Sequence, residues 1–381
     1  MIKNSNTRFI LLIAFSLAIL IITLYFGLSG KGFHFSNNVA WLKNEPGIRF
    51  GNYGIAYALI DNYQIKNAIS ATGHFSIETA FKPEDFDTAG FDLILSLHDG
   101  KDDSQLIVGQ YRSHIIVMNG DDYSNKRKIK RISADIFSDP PKKLLLTITN
   151  GDEGTRLYAD GMLIASRQDL NLRMPQGDNI RVTLGNSVYG KSSWRGEIYG
   201  LALYKGILDR ETIEESFNSW PKDRIFPFQE DQNPFLFFTF DEGNGPEATD
   251  HVTGTQKLKM PPGFHVLKKR LIALSWSDFQ ASKGFFTDFI INLLGFIPLG
   301  FILCALFSGS GGIFQKKAIL FSAVLCFSIS LFIEIAQAWI PSRSSQGLDL
   351  ILNTTGALIG TTICRYFKML GVESIRRSSL Y

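Results

Sequence analysis

The pattern of hydrophobic and polar positions divides the chain into two kinds of sequence. Long apolar runs occupy residues 9–28, 289–307, 318–340 and 350–370, and each is long enough to cross a bilayer as a helix. From about residue 46 to 262, short runs of alternating polarity are broken by Gly, Asp, Asn and Pro at intervals of roughly ten residues. This pattern predicts a bundle of about four transmembrane helices and one all-β sandwich.

The first apolar run is longer than the core of a signal peptide, and no small-x-small cleavage site follows it. We therefore interpret residues 9–28 as a transmembrane anchor that is retained, with a cleaved signal peptide as the alternative. Residues 1–8 then form a cytoplasmic tail, and residues 29–46 form a linker to the sandwich.

Basic residues beside the apolar runs predict the orientation of the chain. Lys3 and Arg8 precede the first run, and Lys316 and Lys317 separate the second from the third. Four more lie at the end of the fourth run or after it: Arg365, Lys368, Arg376 and Arg377. By the positive-inside rule, these residues lie in the cytoplasm. The sandwich is then extracytoplasmic, and both termini, including the tail of residues 371–381, are cytoplasmic. The net charge of +3 is small for this length, so nucleic-acid binding is not indicated.

The middle segment contains nine short stretches with the alternation of half-buried strands. Predicted strands cover residues 75–81, 91–97, 105–111, 114–118, 143–149, 155–159, 162–167, 180–184 and 194–204. The pair Asp160-Gly161 separates two of them and favours a two-residue hairpin turn.

The sequences of several of these strands resemble a laminin-G, concanavalin A-like domain over about residues 47–220. The strings are FSIETAFKP from Phe75, LYADGMLIA from Leu157, IRVTLG from Ile180, WRGEI from Trp194 and ALYKGILD from Ala202. These are mostly core and turn positions, so the resemblance implies a jelly-roll sandwich rather than a particular ligand. Residues 235–245 resemble the opening strand and turn of such domains, and whether they complete the sheet stays open. We assign residues 47–262 to the sandwich with a C-terminal extension.

The sandwich carries no strong signal for catalysis. Glucanases of this fold alternate carboxylates along one strand, and no Glu-x-Asp-x-Glu string occurs here. The acids Glu84, Asp85 and Asp87 follow a proline and indicate a solvated loop. A module that binds a glycan or a protein is favoured over a hydrolase. The acidic and aromatic loops at residues 99–103 and 121–123 are suited to a calcium ion or a sugar.

No cofactor and no other metal site are predicted. The six histidines are scattered, and none has the spacing of a metal site. Cys304, Cys326 and Cys364 all fall within the apolar runs, so disulfides play no part in the exported segment.

Two of the apolar runs carry the same polar motif. The copies are Asp288-x-x-x-Asn292-x-x-Gly295 and Asp349-x-x-x-Asn353-x-x-Gly356. Steps of four and three residues place each set on one face of a helix. Between the copies, Glu334 and Gln337 share a face near the end of an apolar run, where a carboxyl group is expected to face protein or water rather than lipid.

The order of these polar positions, with Pro298 and Gly300 after the first copy and Pro341-x-Arg343 before the second, resembles the VanZ-like membrane family. The resemblance covers about residues 268–370. The family usually has a further membrane helix ahead of the first asparagine, and the N-terminal anchor is the candidate for it. Residues 263–287 are interpreted as a juxtamembrane segment and residues 288–370 as the VanZ-like domain.

The polar residues of the helices are predicted to collect at the extracytoplasmic side as one ligand site. The predicted ligand-binding residues are Asp288, Asn292, Glu334, Gln337, Arg343, Asp349 and Asn353. No catalytic residue is assigned, and Glu334 is the candidate. The competing interpretation is purely structural: Asp288 and Asp349 as helix N-caps, the asparagines as links between helices, and Glu334 paired with Arg343.

The VanZ-like resemblance implies a role in the cell envelope, with a link to glycopeptide antibiotic susceptibility. The favoured hypothesis is a non-catalytic membrane protein whose sandwich binds glycan or protein and whose helices engage a lipid or lipid-linked glycan. The alternative is an enzyme on such a substrate, with Glu334 as general base and Arg343 holding an anionic group. A transporter is disfavoured, because polarity at one interface offers no path through the membrane.

Overall fold

The protein is described by a computed structural model that divides into two compact units. One unit is His34–Lys268, here the sandwich unit, and the other combines Met1–Phe33 with Lys269–Tyr381, here the helical unit. The residues described are 2–30, 36–61, 73–101, 103–120, 129–177, 179–223, 234–264, 266–269, 271–272, 283–340, 343 and 345–378.

The sandwich unit is built of two antiparallel sheets of eight strands each. In sheet order the first contains β1 (Val39–Trp41), β2 (Ile48–Phe50), β13 (Gly196–Lys205), β4 (Phe75–Pro83), β9 (Leu144–Gly151), β10 (Gly154–Ala159) and β11 (Met162–Arg167), with β14 (Pro234–Phe238) also paired to β13. The second contains β15 (Glu247–Thr249), β16 (Lys257–Lys259), β3 (Ala56–Asp61), β12 (Asn179–Leu184), β5 (Phe91–His98), β6 (Leu106–Tyr111), β7 (His114–Asn119) and β8 (Arg131–Asp135). The β-sandwich predicted from the alternating pattern is confirmed.

The hydrophobic core of this unit gathers alternate side chains from both sheets, as the period of two along a strand requires. Trp194 is fully buried, with its ring edge-on to Phe81 at 6.0 Å between ring centres. Its indole nitrogen donates a hydrogen bond to Oε1 of Gln110 at 3.0 Å. The polar atom of this core tryptophan is therefore satisfied without contact with water.

The nine predicted strands all occur, with ends that shift by at most a few residues. Asp160 and Gly161 form the turn between β10 and β11, and both have positive φ angles, 52° and 78°. Two positive φ values are the requirement of a type I′ turn, which explains the Asp-Gly pair.

The structure differs from the predicted domains at two boundaries and answers one question that the sequence leaves open. The predicted linker, residues 29–46, is too long, because β1 lies within it and pairs with β2. Phe235 and the residues after it do complete the sheet, since β14 pairs with β13. The predicted juxtamembrane segment, residues 263–287, overlaps a helix that begins at Lys283, while residues 273–282 lie outside the part described.

An amphipathic helix that the strand pattern did not predict, α2 (Arg210–Asp223), belongs to the sandwich unit. It follows β13, and its buried Ile213 and Trp220 pack in one cluster with Tyr204 of β13 and Tyr158 of β10. These side chains lie on the outer face of the first sheet, opposite the main core. Part of the face expected to meet solvent is therefore covered by α2.

The helical unit contains four helical stretches of membrane-crossing length among its described residues, Phe9–Leu28, Phe286–Gly309, Ala318–Gln337 and Gly347–Lys368. The helices themselves are α1 (Ile2–Leu28), α3 (Lys283–Gly295), α4 (Ile297–Gly309), α5 (Gly312–Lys316), α6 (Ala318–Gln337) and α7 (Gly347–Ser378). The predicted helical membrane bundle is confirmed.

The second stretch is broken between α3 and α4 at Phe296. Pro298 follows two residues later and has no backbone N–H, so it cannot continue the hydrogen-bond ladder of α3. The ladder resumes when the backbone N–H of Gly300 donates to the carbonyl of Phe296 at 3.0 Å.

The N-terminal anchor is part of the bundle. Leu20 and Leu24 of α1 pack in one cluster with Phe296, Leu299 and Ile333 of the C-terminal helices. The structure thus places α1 where the VanZ-like resemblance expects a further helix. The three cysteines, Cys304, Cys326 and Cys364, are free and buried within this unit.

Candidate functional site

The last two turns of α6 supply three buried polar groups of the helical unit. Buried residues of α6 follow one face: Ala318, Ser322, Cys326, Ser330, Ile333, Glu334 and Gln337. At its C-terminal end this face carries Ser330, Glu334 and Gln337, at steps of four and three residues. All three side chains therefore face the interior of the bundle at one end of the helix.

Glu334 is only 1% exposed. Its Oε2 accepts a hydrogen bond from the backbone N–H of Gln346 at 2.8 Å, at the position just before α7 begins. No ion-pair contact joins it to Arg343, although both side chains are described and their opposite charges attract each other at longer range. The structural alternative in which Glu334 pairs with Arg343 is therefore wrong.

Arg343 instead binds the C-terminal end of α1. Its guanidinium donates to the backbone carbonyls of Phe26 at 2.6 Å and Ser29 at 3.1 Å. The side-chain amide of Gln337 donates to the carbonyl of Gly27 at 2.8 Å. The last carbonyls of a helix lack intrahelical donors and carry partial negative charge, so both side chains satisfy the end of α1.

Both copies of the polar motif approach Glu334. Asn292 in α3 donates a side-chain hydrogen bond to Asp349 in α7. The amide nitrogen of Asn353 donates to the hydroxyl oxygen of Ser330 at 3.0 Å, whereas its Oδ1 is buried and has no hydrogen-bond partner among the residues described. Asp288 lies at the exposed end of the group, and Asp349 is half-buried.

The N-cap interpretation of the two aspartates is also wrong. The helix α3 begins at Lys283, so Asp288 lies inside it, and Asp349 lies within the first turn of α7 rather than before it. An N-cap residue precedes the first helical residue and accepts bonds from the free N–H groups there. Neither aspartate occupies that position.

One cavity of about 510 Å³ is lined by all seven residues that the sequence singled out. Its other lining residues are Ile22, Thr23, Phe26, Gly27, Ile291, Gly295, Phe296, Ile333 and Gln346. Polar groups from α3, α6 and α7 thus converge on a space whose remaining wall is mostly apolar. That these seven residues bind a ligand stays a prediction.

The apolar wall of this cavity continues onto the outer surface of the bundle. Ile22 and Phe26 of α1 and Ile291 of α3 line the cavity and are also exposed large hydrophobic side chains. The helix α1 packs mainly against α4 and α6, rather than against α3. Exposed apolar side chains of α1 and α3 therefore form one margin of the cavity.

The two motif glycines have different surroundings. A side chain added at Gly295 would meet nothing within 4 Å, and Gly295 lines the cavity. A side chain added at Gly356 would collide with the backbone carbonyl of Leu293 in α3. The first glycine leaves space, and the second permits close approach of two helix backbones.

The sandwich unit has a separate cavity of about 630 Å³ beside α2. Its lining residues are Asn44, Glu45, Lys143, Asp160, Tyr199, Phe217 and Trp220. The Lys143 ammonium lies 4.3 Å from the centre of the Tyr199 ring and also pairs with Glu45. Aromatic rings beside several polar groups suit a sugar face with its hydroxyls.

The sandwich unit also contains a fully buried acid, Glu78 of β4, which the sequence analysis did not single out. Thr147 donates to its Oε1 at 2.9 Å, and the Tyr204 hydroxyl donates to its Oε2 at 3.1 Å. Ser216 of α2 supplies a third hydroxyl bond. Burial raises the pKa of Glu78 to about 7, in opposition to these three bonds.

The predicted acidic loops have structural roles where they are described. Glu84 and Asp85 both pair with Arg195, as expected of a solvated loop. The Asp99 carboxylate accepts bonds from the backbone of Lys101 and Gln176. Asp102 and residues 121–123 lie outside the described residues, so the calcium prediction for these loops stays a prediction.

Several residues of the helical site had no signal in the sequence. Phe26, Gly27, Ser29 and Gln346 contribute backbone carbonyls or an N–H, which any residue type supplies. Ser330 is the exception, because its position one turn before Glu334 on the same face could have identified it.

Comparison with known proteins supports the VanZ-like resemblance. Residues 235–368, about a third of the chain, match the VanZ/LLP1 family model. The VanZ-like resemblance predicted for the C-terminal part is therefore confirmed, and the match also extends into the last strands of the sandwich unit. No curated protein matches the chain.

Solved structures similar to the chain are β-sandwich proteins at low identity. A candidate carbohydrate-binding protein from Bacteroides ovatus has 12% identity and a TM-score of 0.41, and the match covers 57% of this chain and 58% of that chain. Ruminococcus gnavus IT-sialidase CBM40 has 14% identity and a TM-score of 0.33, and the match covers 44% of this chain and 95% of that chain. A SAP-like pentraxin from Limulus polyphemus has 12% identity and a TM-score of 0.35, with 60% and 97% covered.

Proposed function

We propose that this protein is a non-catalytic membrane protein of the cell envelope that holds a lipid or lipid-linked headgroup in its helical unit. The observation that carries the proposal is the cavity of about 510 Å³, in which seven polar side chains meet an apolar wall open toward lipid. The polar part of such a pocket fits a lipid headgroup, and the apolar part fits the alkyl chains of the lipid. Helix packing alone needs neither the empty space at Gly295 nor the unpaired Oδ1 of Asn353.

We further propose that the sandwich unit lies outside the cytoplasm and binds glycan or protein. The basic clusters that flank the apolar runs support this orientation. The cavity beside α2, with Tyr199, Phe217 and Trp220 among polar groups, supports a glycan ligand. Reporter fusions at positions 200 and 345 are expected to read extracytoplasmic, and those at 312 and 381 cytoplasmic. A cytoplasmic signal at position 200 would reverse the orientation.

A link to glycopeptide antibiotic tolerance is part of the proposal and comes from the VanZ resemblance alone. Engagement of a lipid-linked glycan at the membrane surface would act on the material that such antibiotics bind. Comparison of teicoplanin and vancomycin susceptibility in strains with and without the protein measures this link directly.

The lipid-binding proposal is tested by filling the cavity without disturbing the helices. Gly295→Leu adds a side chain where nothing lies within 4 Å, and Gly309→Leu makes the same change at another open position outside the cavity. Each full-length variant is extracted with a native-membrane polymer, and its bound lipids are quantified. We expect a lipid species enriched with wild type and Gly309→Leu but lost with Gly295→Leu. Equal lipid profiles for all three proteins would contradict the proposal.

A second candidate function, an enzyme on a lipid-linked substrate, is favoured by one observation. Glu334 lies buried in the cavity wall, which is the arrangement of a general base. The guanidinium of Arg343, which this hypothesis gives to an anionic substituent, is already bonded to the end of α1. Conversion of the co-purified lipid by wild type, with Glu334→Gln inactive, would establish the enzyme and exclude the binding role.

A further inference from the structure

We infer that the cavity of the helical unit selects an amphiphile with a primary ammonium group. This inference rests on the proposed function and names the ligand class for the same site. The ammonium lies among Glu334, Asp349 and Asn353, and the alkyl chains leave between α1 and α3.

The first argument for a cationic ligand is the charge of the residues that line the cavity. Three carboxyl groups, those of Asp288, Glu334 and Asp349, line the cavity against one guanidinium, that of Arg343. The guanidinium is bonded to carbonyls at the end of α1. Among the described lining residues no cation is free, so a phosphate placed between these carboxyl groups would be repelled, and the repulsion is strong at low dielectric. A cation is the complementary ligand.

The second argument, for a ligand with N–H donors, is an unpaired hydrogen-bond acceptor in the cavity wall. Asn353 is 4% exposed and lines the cavity, and its Oδ1 has no hydrogen-bond partner. A buried carbonyl oxygen without a donor costs about 1–3 kcal/mol, so a donor from a ligand would be favourable there. An ammonium with three N–H donors satisfies this oxygen and a carboxylate together. A quaternary ammonium has charge but no donor.

The kind of cation follows from geometry. Among the described residues, no group of three or more His, Cys, Asp or Glu side chains is close enough to hold a metal ion. The carboxyl groups are therefore too far apart to share one metal ion, and the space between them suits a bulkier organic cation. The exposed apolar residues Ile22, Phe26 and Ile291 at the opening suit alkyl chains. An amine on a lipid combines both features.

The experiment measures lipid affinity of the full-length protein by native mass spectrometry from detergent micelles. The probes are phosphatidylethanolamine, its N-acetyl form, phosphatidylcholine, phosphatidylglycerol and phosphoethanolamine without chains. We expect phosphatidylethanolamine to bind at least about tenfold more tightly than the other four, as the loss of one charge-assisted hydrogen bond predicts. Glu334→Gln and Asn353→Leu are expected to remove the preference. Glu215→Gln, an equal change of charge on the exposed face of α2, is expected to keep it.

The outcomes separate this inference from the proposed function. Equal affinity for all four lipids, or a preference for phosphatidylglycerol, overturns the ammonium inference and leaves a lipid site in place. Equal binding of phosphoethanolamine without chains overturns the amphiphile and assigns a soluble amine. Binding of no lipid overturns both. The comparison of phosphatidylethanolamine with its N-acetyl form uses wild type alone, so it stands even where a variant fails to fold.

Discussion

Among the residues that the structure describes, each unit buries one glutamate almost completely, and the surroundings of the two differ. Glu78 in the sandwich unit receives three hydroxyl bonds, from Thr147, Tyr204 and Ser216, and does not line either large cavity. Glu334 in the helical unit receives one backbone bond at Oε2 and lines a cavity of about 510 Å³. The first carboxyl group is enclosed by the fold, and the second is left facing space.

This difference shows that burial does not by itself identify a functional acid. A buried carboxyl group whose acceptor sites are filled by the protein is part of the packing, and its loss affects folding. A buried carboxyl group beside open space has capacity left for a ligand. The predictions below test this distinction by treating the two glutamates in parallel.

The largest effect is expected from removal of the enclosed acid. Glu78→Ala leaves the hydroxyls of Thr147, Tyr204 and Ser216 without their acceptor and creates a void, so we expect a loss of about 3–5 kcal/mol in the free energy of unfolding. Denaturant titration of residues 34–268, which we expect to fold without the helices, measures it. A loss below about 1 kcal/mol would show that the enclosure of Glu78 does not matter for stability.

The next largest effect is a dependence on pH of the free energy of unfolding of the sandwich unit. Burial raises the pKa of Glu78 from 4.5 to about 7, so the folded protein holds this proton more tightly than the unfolded chain. The stabilisation is complete below about pH 4.5 and is lost as the pH rises through about 7. We expect the free energy of unfolding to fall by about 3 kcal/mol between these limits.

Glu78→Gln is the matched variant for this pH effect, and its titration curve is expected to be flatter than that of wild type. Burial also raises the pKa of Asp92, to about 6, which acts in the same direction. Because Asp92 is present in both proteins, the difference between the two curves isolates Glu78. Parallel curves would mean that Glu78 is not the group responsible.

A smaller effect is expected at the end of α1. Arg343→Gln removes charged donors from the carbonyls of Phe26 and Ser29, so we expect a loss of about 2 kcal/mol in the stability of the helical unit. Thermal denaturation in detergent measures it, with Arg365→Gln on the exposed face of α7 as the control. Combination with Glu334→Gln is expected to give no recovery, since the two residues form no ion pair. Recovery in the double variant would restore the pairing interpretation.

The smallest change in stability is expected for Glu334→Gln. The amide oxygen of glutamine can still accept the N–H of Gln346, so we expect less than about 0.5 kcal/mol. Membrane abundance and melting temperature are the measurements, read beside the lipid content of the purified protein. A large loss of stability, with lipid still bound, would show that Glu334 is part of the packing, as Glu78 is.

Much of the fold could be predicted from the sequence because its signals are local. The alternation of strands such as residues 75–83 fixes which side chains face inward, and Asp160-Gly161 specifies its own turn. The helix α2 was missed, since its residues follow a long run of strand patterns. Glu78 was missed for the same reason: in an alternating strand it looks like a solvent-facing residue, and only α2 encloses it.

The members of the candidate site could also be predicted, but their partners could not. Spacing along a helix places Asp349 and Asn353 on one face, and the lipid around the bundle requires that face to turn inward. The bonds of Arg343 and Gln337 go to carbonyls of α1, more than three hundred residues earlier in the chain. Backbone acceptors have no sequence signature, so the sequence offers only Glu334 as an alternative partner for Arg343.

The unequal surroundings of Gly295 and Gly356 have a consequence for the ancestry of this chain. Two copies of one motif are expected to accept similar substitutions unless the space around equivalent positions differs. A methyl group at position 356 collides with a neighbouring backbone, whereas position 295 has room for one. An alignment of descendants would therefore keep glycine at position 356 for steric reasons. At position 295, alanine or serine is expected as well, because nothing there opposes a small side chain.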